Sequence, residues 1–305
     1  MACFLNTGDT NRYFMTMGFI GLGNQGIVMV NNLIERNVPL HLYNRTAEKM
    51  QAFSGKAQLH ASVSSLAKAC DLIISIVSDD KAVEAISFGN EGLIAQMKPG
   101  SVHVCMSTIA PDTASRLEAA HKEKGIEYCT ATIIGRPEAT RNRNLVTCFS
   151  GTTGLKEPIF GVLKDLGTAK LFEFGDSAAT AAAVKVCNNF MIAAAMEAMG
   201  EAFTLVEKAG GNATAFYDMI SDSVFACPIY KNYGKIIVEK NYKQAGFTSQ
   251  LGLKDIRLAL QLAEATNTPL PLADLIRNRF LVNHNRGRKD WDWASFVEVI
   301  KEENK

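Results

Sequence analysis

The sequence lacks a dominant charge. Its 32 lysines and arginines stand against 31 aspartates and glutamates, a formal net charge of +1. Such a chain projects no long-range field to gather nucleic acid or an anionic bilayer, so neither is expected as a partner. A small charged substrate must instead be held by local contacts. Paired cysteines are lacking too. Cys3, Cys70, Cys105, Cys129, Cys148, Cys187 and Cys227 include no CxxC and are odd in number. That argues against a zinc site or any other metal centre and against a disulfide framework, and for reduced thiols in a cytoplasmic setting. The opening residues, MACFLNTGDTNRYF, lack a basic segment followed by an apolar core, so no signal peptide is read there. Residues 1–14 are expected to be a loose extension, with Met15 or Met17 as alternative starts. No window reads as apolar enough for long enough to span a bilayer. Internal repeats and low-complexity linkers are absent as well.

What is present is an ordinary globular composition, 47% hydrophobic and 21% charged over 305 residues, enough for two domains. Through the first half, short apolar runs alternate with amphipathic stretches. MTMGFIGLG, PLHLYNR, LIISIVS, SVHVCMS, IEYCTATII, NLVTCFSG and AKLFEFGD read as strands. QGIVMVNNLIERN, AEKMQAFSG, VEAISFGNEGLIAQM and PDTASRLEAAHKEKG read as helices, the last opened by proline and closed by glycine. LIISIVS is continuous and β-branched, as befits a parallel strand covered on both faces. The alternation predicts an α/β Rossmann-type, doubly wound parallel sheet over residues 15–175. After Gly175 the pattern changes to one long alanine-rich stretch ending at Gly210 and Gly211, followed by further helices broken near Pro228 and Pro269. Residues 176–305 are therefore expected to form an all-α domain.

Gly21-Leu22-Gly23-Asn24-Gln25-Gly26 is a GxGxxG between an apolar strand and a helix. The first glycine permits a tight turn, the second lets backbone approach a pyrophosphate, and the third lets helix and strand pack closely. The phosphates would sit at the positive end of the helix. The alternative is a strand–turn–helix with no ligand. At the end of the second strand, NAD-binding proteins usually place a carboxylate for the ribose 2′-hydroxyl. This chain has Tyr43-Asn44-Arg45-Thr46 instead. A carboxylate would repel a 2′-phosphate, whereas Arg45 can bind one bidentately and Asn44 and Thr46 can donate to it. NADP(H) is the expected cofactor; the competing reading leaves Arg45 as a solvated surface charge. Val77, closing the third strand, is placed in the same cofactor set.

The chain resembles the β-hydroxyacid dehydrogenase family, which includes 3-hydroxyisobutyrate dehydrogenases and NADPH-dependent glyoxylate/succinic semialdehyde reductases. GFIGLGNQG, NRTAEK, MSTIAPDTA, KVCNN and FTSQLGLKDIRLAL match in the family's order over nearly the whole chain after residue 14. The NRT stretch is similar to the NADPH-using reductases. The resemblance implies catalysis by Lys185 and substrate binding by Asn189. It places Ser107 and Thr108 near substrate and nicotinamide, and Phe247, Lys254 and Asp255 in the later helical segment that approaches the cofactor.

Hydride transfer to a carbonyl carbon leaves charge on oxygen, so reduction needs a proton delivered there and oxidation needs one removed. A lysine suits both directions if burial lowers its pKa. Lys185 and Asn189, four residues apart on a helix, project from one face. The neighbours Ala183, Val184, Val186 and Cys187 make a poor solvated face. Ser107 and Thr108 end a strand, where open α/β sheets bind ligands, although capping of the next helix would explain the same residue types. Without the resemblance, Phe247 reads as a core aromatic and Lys254 and Asp255 as an exposed pair. Trp291 and Trp293 read as packing, with Asp292 as a cap.

One stretch departs from the family. Its small-residue substrate loop, roughly DAPVSGG, is here Thr130-Ala131-Thr132-Ile133-Ile134-Gly135-Arg136. Ile134 cannot donate a hydrogen bond. Gly135 and Arg136 remain as candidate substrate contacts, the arginine through a bidentate pair or else turned to solvent with Arg141 and Arg143. The function read from all this is hydride transfer to or from a small aldehyde, keto acid or 3-hydroxy acid. An imine reductase of related architecture, favoured by Ile134 and disfavoured by Lys185, and a non-catalytic NADPH binder are the alternatives. The alanine-rich helix suits close packing, so a homodimer or homotetramer is expected.

Overall fold

The computed structural model describes residues 15–152 and 154–304; the expected extension at 1–14 lies outside them. Among the described residues eight strands form one sheet: β1 (Met17–Ile20), β2 (Leu40–Tyr43), β3 (Gln58–Leu59), β4 (Leu72–Ser75), β5 (Val102–Cys105), β6 (Glu127–Ile134), β7 (Leu145–Gly151) and β8 (Thr168–Glu173). Their spatial order is β3-β2-β1-β4-β5-β6-β7-β8. β1, β4 and β5 are buried at every position because helices cover both faces of the sheet. The chain winds outward from β1 in both directions, so the strand order switches between β1 and β4. Ligands bind open α/β sheets at such a switch, beyond the carboxyl ends of the strands.

The expected parallel sheet needs one correction. β7 runs antiparallel to β6, while β8 is parallel to β7. Between β6 and β7, residues 135–144 hold only one short helix, Pro137–Arg141, and a parallel crossover needs a dozen residues or more. The helices of this unit are α1 (Asn24–Glu35), α2 (Val63–Ala69), α3 (Asp80–Ser87), α4 (Leu93–Gln96), α5 (Pro111–Glu123), α6 (Pro137–Arg141) and α7 (Lys156–Leu166). The single helix expected across residues 83–97 is thus two, split by the turn-forming run Gly89-Asn90-Glu91-Gly92. Residues 47–53 wind as a 3-10 helix. β3 and α2 have no counterpart in the sequence reading.

α8 (Ala178–Lys208) is the long alanine-rich helix, followed by α9 (Ala213–Asp222), α10 (Pro228–Glu239), α11 (Ser249–Ala265), α12 (Pro271–Asn285) and α13 (Glu298–Glu303). Two compact units divide between Lys185 and Val186, inside α8. The first turns of α8 belong to the sheet unit because Ala178 and Ala182 pack there with Val83, Cys105 and Tyr128. Further along, Ala193, Met196, Met199 and Phe203 join the helical core with Ile256, Phe280 and Trp293. α8 also corrects the reading that no window could span a bilayer. By length and composition alone this helix is long and apolar enough to cross one.

Candidate functional site

The glycine turn sits at the switch in strand order, with its three glycines in three different environments. Gly21 takes φ +107°, and a side chain there would meet Ile76 O at 2.1 Å. At Gly26 the same atom would lie 1.9 Å from Gly21 O, so helix and turn can touch only through glycine. Gly23 has nothing within 4 Å and is exposed at the N-cap of α1, with no side-chain bond to the helix. The first intrahelical bond runs from Ile27 N to Gly23 O at 3.0 Å, which leaves the amides of residues 24–26 facing outward from the helix end. Two backbone-filled glycines and one open cradle at a helix N-terminus fit a dinucleotide pyrophosphate.

Side chains from neighbouring strands brace that turn. Leu22 N donates to Asn44 Oδ1 at 2.8 Å, while Asn44 Nδ2 donates to Thr46 O at 2.8 Å. Asn44 therefore shapes the turn. Arg45 and Thr46 are exposed at the end of β2, and Thr46 makes no capping bond to the turn it precedes. Ser107 is buried, and its Oγ accepts from Val77 N at 2.8 Å, tying the end of β5 to the end of β4. The expected capping alternative is not realised, since Ala110 is the N-cap of α5. Thr108 follows, half-buried.

Gln25, expected among the cofactor contacts, bonds within the protein through its side chain. Nε2 donates to Gly135 O at 2.8 Å, and Oε1 accepts from Thr140 Oγ1 at 2.5 Å. Gly135 itself takes φ +145°. Ile134 and Arg136 beside it are half-buried, and Arg136 is the N-cap of α6. Arg143 does not turn to solvent as the sequence reading allowed. It donates to Asp165 O at 3.0 Å and Asn32 O at 3.2 Å and pairs with Glu35.

Behind the strand ends runs a line of buried hydrogen bonds that the sequence reading missed. His121 Nδ1 lies 2.7 Å from Leu117 O, an acceptor, so that nitrogen carries the proton. His121 Nε2 must then accept from His103 Nδ1 at 3.0 Å, and His103 Nε2 must accept from Ser75 Oγ at 2.8 Å. Both imidazoles are neutral because burial penalises the cation. It pushes His121 down to about 4 and His103 well below its ordinary value.

The first turns of α8 are bonded to the sheet. Ala178 N donates to the Glu118 carboxylate at 3.2 Å, a favourable partner for a helix N-terminus. Ser150 Oγ accepts from Ala181 N at 2.9 Å, and Thr132 Oγ1 donates to Ala181 O at 3.3 Å. These bonds fix the helix that carries Lys185, which is half-buried. Its ammonium lies close enough to Cys148 on β7 to pull that thiol down, although burial pushes the thiol up by more.

In the helical unit, Asn189 is buried and its Nδ2 donates to Asp255 Oδ2 at 2.5 Å. Lys254 Nζ meets the other oxygen, Oδ1, at 3.0 Å. Asp255 is fully buried, which corrects the bland reading of residues 254 and 255 as an exposed pair. The signal was available: Asp255 shares a helix face with Gly252, Ala259 and Ala263, all buried. A carboxylate on such a face demands partners. Phe247 packs edge-on to Trp293 at 5.0 Å, and Asp292 caps the turn after it through Ala294 N. Trp293 is buried as expected. Among the described residues no cluster of His, Cys, Asp and Glu is arranged to hold a metal ion.

Residues 16–175 match the NAD binding domain of 6-phosphogluconate dehydrogenase. Residues 179–300 match the domain described as NAD-binding of NADP-dependent 3-hydroxyisobutyrate dehydrogenase. The chain is 34% identical over 288 residues to the uncharacterized oxidoreductase YfjR of Bacillus subtilis, covering 94% of this chain and 100% of that one. It is 28% identical over 295 residues to the mitochondrial 3-hydroxyisobutyrate dehydrogenase of Drosophila melanogaster, covering 94% and 90%. Among solved structures, the 3-hydroxyisobutyrate dehydrogenase of Mycobacterium tuberculosis superposes with a TM-score of 0.84 at 22% identity, covering 95% of this chain and 100% of that one.

Proposed function

Because the chain belongs to the β-hydroxyacid dehydrogenase family of NAD(P)-dependent oxidoreductases, we propose that it uses NADP(H) and acts on a small aldehyde, keto acid or 3-hydroxy acid, with Lys185 as general acid and base. The observation that carries the mechanism is the half-buried Lys185 on helical turns held by Thr132, Ser150 and Glu118. Turns held in this way fix the point from which the lysine side chain starts, and so confine the region its amine can reach. The cofactor, when bound, supplies the hydride. The protein's part is to hold the substrate oxygen, deliver a proton from Lys185 Nζ during reduction and take it back during oxidation. Asn189, oriented by Asp255, would bind the substrate without adding charge. Ser107, Thr108, Gly135 and Arg136 complete the proposed substrate set, with Phe247 and Lys254 on the cofactor side.

NADP(H) over NAD(H) rests on the exposed Arg45 and on the missing carboxylate at the end of β2. Ile134, half-buried at the end of β6, favours a second reading as an imine reductase. A homodimer or homotetramer in the cytoplasm belongs to the same proposal. Met191 and Leu205, 68% and 70% exposed on α8, support self-association, which light scattering tests.

The deciding experiment is Lys185→Ala with NADPH, measured against a panel of small carbonyls and imines. Turnover should fall by roughly 10²–10⁴-fold while NADPH binding, read by fluorescence, survives. A variant that keeps its kcat would remove Lys185 from the chemistry. Turnover confined to imines would favour the second reading.

A further inference from the structure

We infer that Gln25 is a positioning residue that couples dinucleotide seating on α1 to the shape of the loop at residues 134–136. The inference rests on the proposed use of NADPH and of that loop for substrate. Gln25 is the second residue of α1, and its backbone amide belongs to the outward-facing group at the helix end. Its side chain reaches 110 positions along the chain to Gly135 O and also accepts from Thr140, which is fully buried.

The orientation of the carboxamide is determined. Turned over, Oε1 would face Gly135 O at the present 2.8 Å, acceptor against acceptor. Both ends of the amide therefore specify one arrangement of loop and helix. Holding Gly135 O also sets the plane of the peptide that follows it, because the bond is trans and planar. Gly135 at φ +145° is free to rotate in ways other residues are not, so the loop has an intrinsic freedom that this bond removes.

Farther along α1 the same two helices are joined again. Asn32 Nδ2 donates to Thr140 O at 2.9 Å and to Leu166 O at 3.0 Å. That joint is remote from the helix end and anchors α6 whether or not Gln25 is present. Gln25 is thus placed to adjust the loop without being needed to fold it. Anything that draws the first turn of α1 toward the phosphates draws Gly135 with it.

The test uses Gln25→Met and Thr140→Val, the second keeping Gln25 but removing one of its two partners. Hydrogen–deuterium exchange is followed across residues 134–142 with and without NADPH. In the unsubstituted protein NADPH should slow exchange there; in Gln25→Met it should still bind but no longer protect the loop. For the best carbonyl substrate KM should rise about tenfold, the worth of one lost hydrogen bond, with kcat held within about threefold. Thr140→Val should shift both readouts the same way by less, and it stands in should Gln25→Met not fold. Undiminished protection in a variant shown to bind NADPH, or an unchanged KM, overturns the coupling. Absence of NADPH binding by the unsubstituted protein fails the proposed function itself, and fluorescence shows that outcome separately.

Discussion

The sheet unit and the helical unit bury polar chemistry in opposite ways. In the sheet unit most deep titratable groups are neutral: His103 and His121 accept and donate along one line, and burial holds Cys105, Cys129 and Tyr128 protonated, although buried Asp165 pairs with Arg36 at 3.8 Å. Its ligand cradle is made of backbone. In the helical unit charge itself goes inside, with Asp255 between Lys254 and Asn189 and with Glu197 against Arg279 at 3.1 Å. Backbone cradles need particular glycines and leave a motif, whereas the buried carboxylates Asp255 and Glu197 also draw Asn189 and Arg279 from distant positions and leave none.

The largest break in this comparison is Gly26→Ala. The new methyl meets backbone at 1.9 Å and cannot swing away, so we expect a loss on the order of 3 kcal/mol or more and no measurable NADPH binding. Gly23→Ala is the control. Its methyl meets nothing in the protein, so chemical denaturation should move by less than about 1 kcal/mol while nucleotide affinity still falls.

Next in size is Asp255→Ala, which strands Lys254 and Asn189. Removing one member of a buried pair costs about 3 kcal/mol, to be read from urea unfolding. If Asp255→Ala were neutral, the contrast between the units would fail.

A pH scan sharpens the contrast further. His121 titrates at about 4 in the fold against an ordinary 6.5, and His103 lies well below it. The unfolded chain therefore holds more protons over this range. The stability present above about 6.5 is lost as pH falls, at up to about 1.4 kcal/mol per pH unit for each imidazole. Glu197 has the opposite sign, because burial raises its carboxyl and the folded form holds the extra proton. Between pH 6.5 and 5, amide protection, taken relative to the intrinsic exchange rate at each pH, should fall in the sheet unit more than in the helical unit. An equal fall in both would contradict the assignment of neutral imidazoles.

The glycine turn, the buried strands and the proline-led α5 were all legible in the sequence because their causes are local. β4 is an unbroken apolar run, and Pro111 presets the first turn of its helix. The reversed β7 was not legible from composition, since its direction depends on how few residues separate it from β6. The bond from Gln25 to Gly135 was also hidden: a glutamine in a glycine motif reads as a cofactor contact until the fold brings β6 beside it. Asp255 lay between these cases. Its apolar helical neighbours announced burial, but its partner Asn189 stands 66 positions away.

The line from Ser75 through the two histidines has an arrow, since Leu117 O can only accept. Both rings are thereby locked as the Nδ1–H isomer, although Nε2–H is the commoner form of free imidazole, and nitrogen chemical shifts would register the inversion. Sealed from solvent, those two protons can trade for deuterium only when β5 and α5 part company. They keep time for that parting, from inside it.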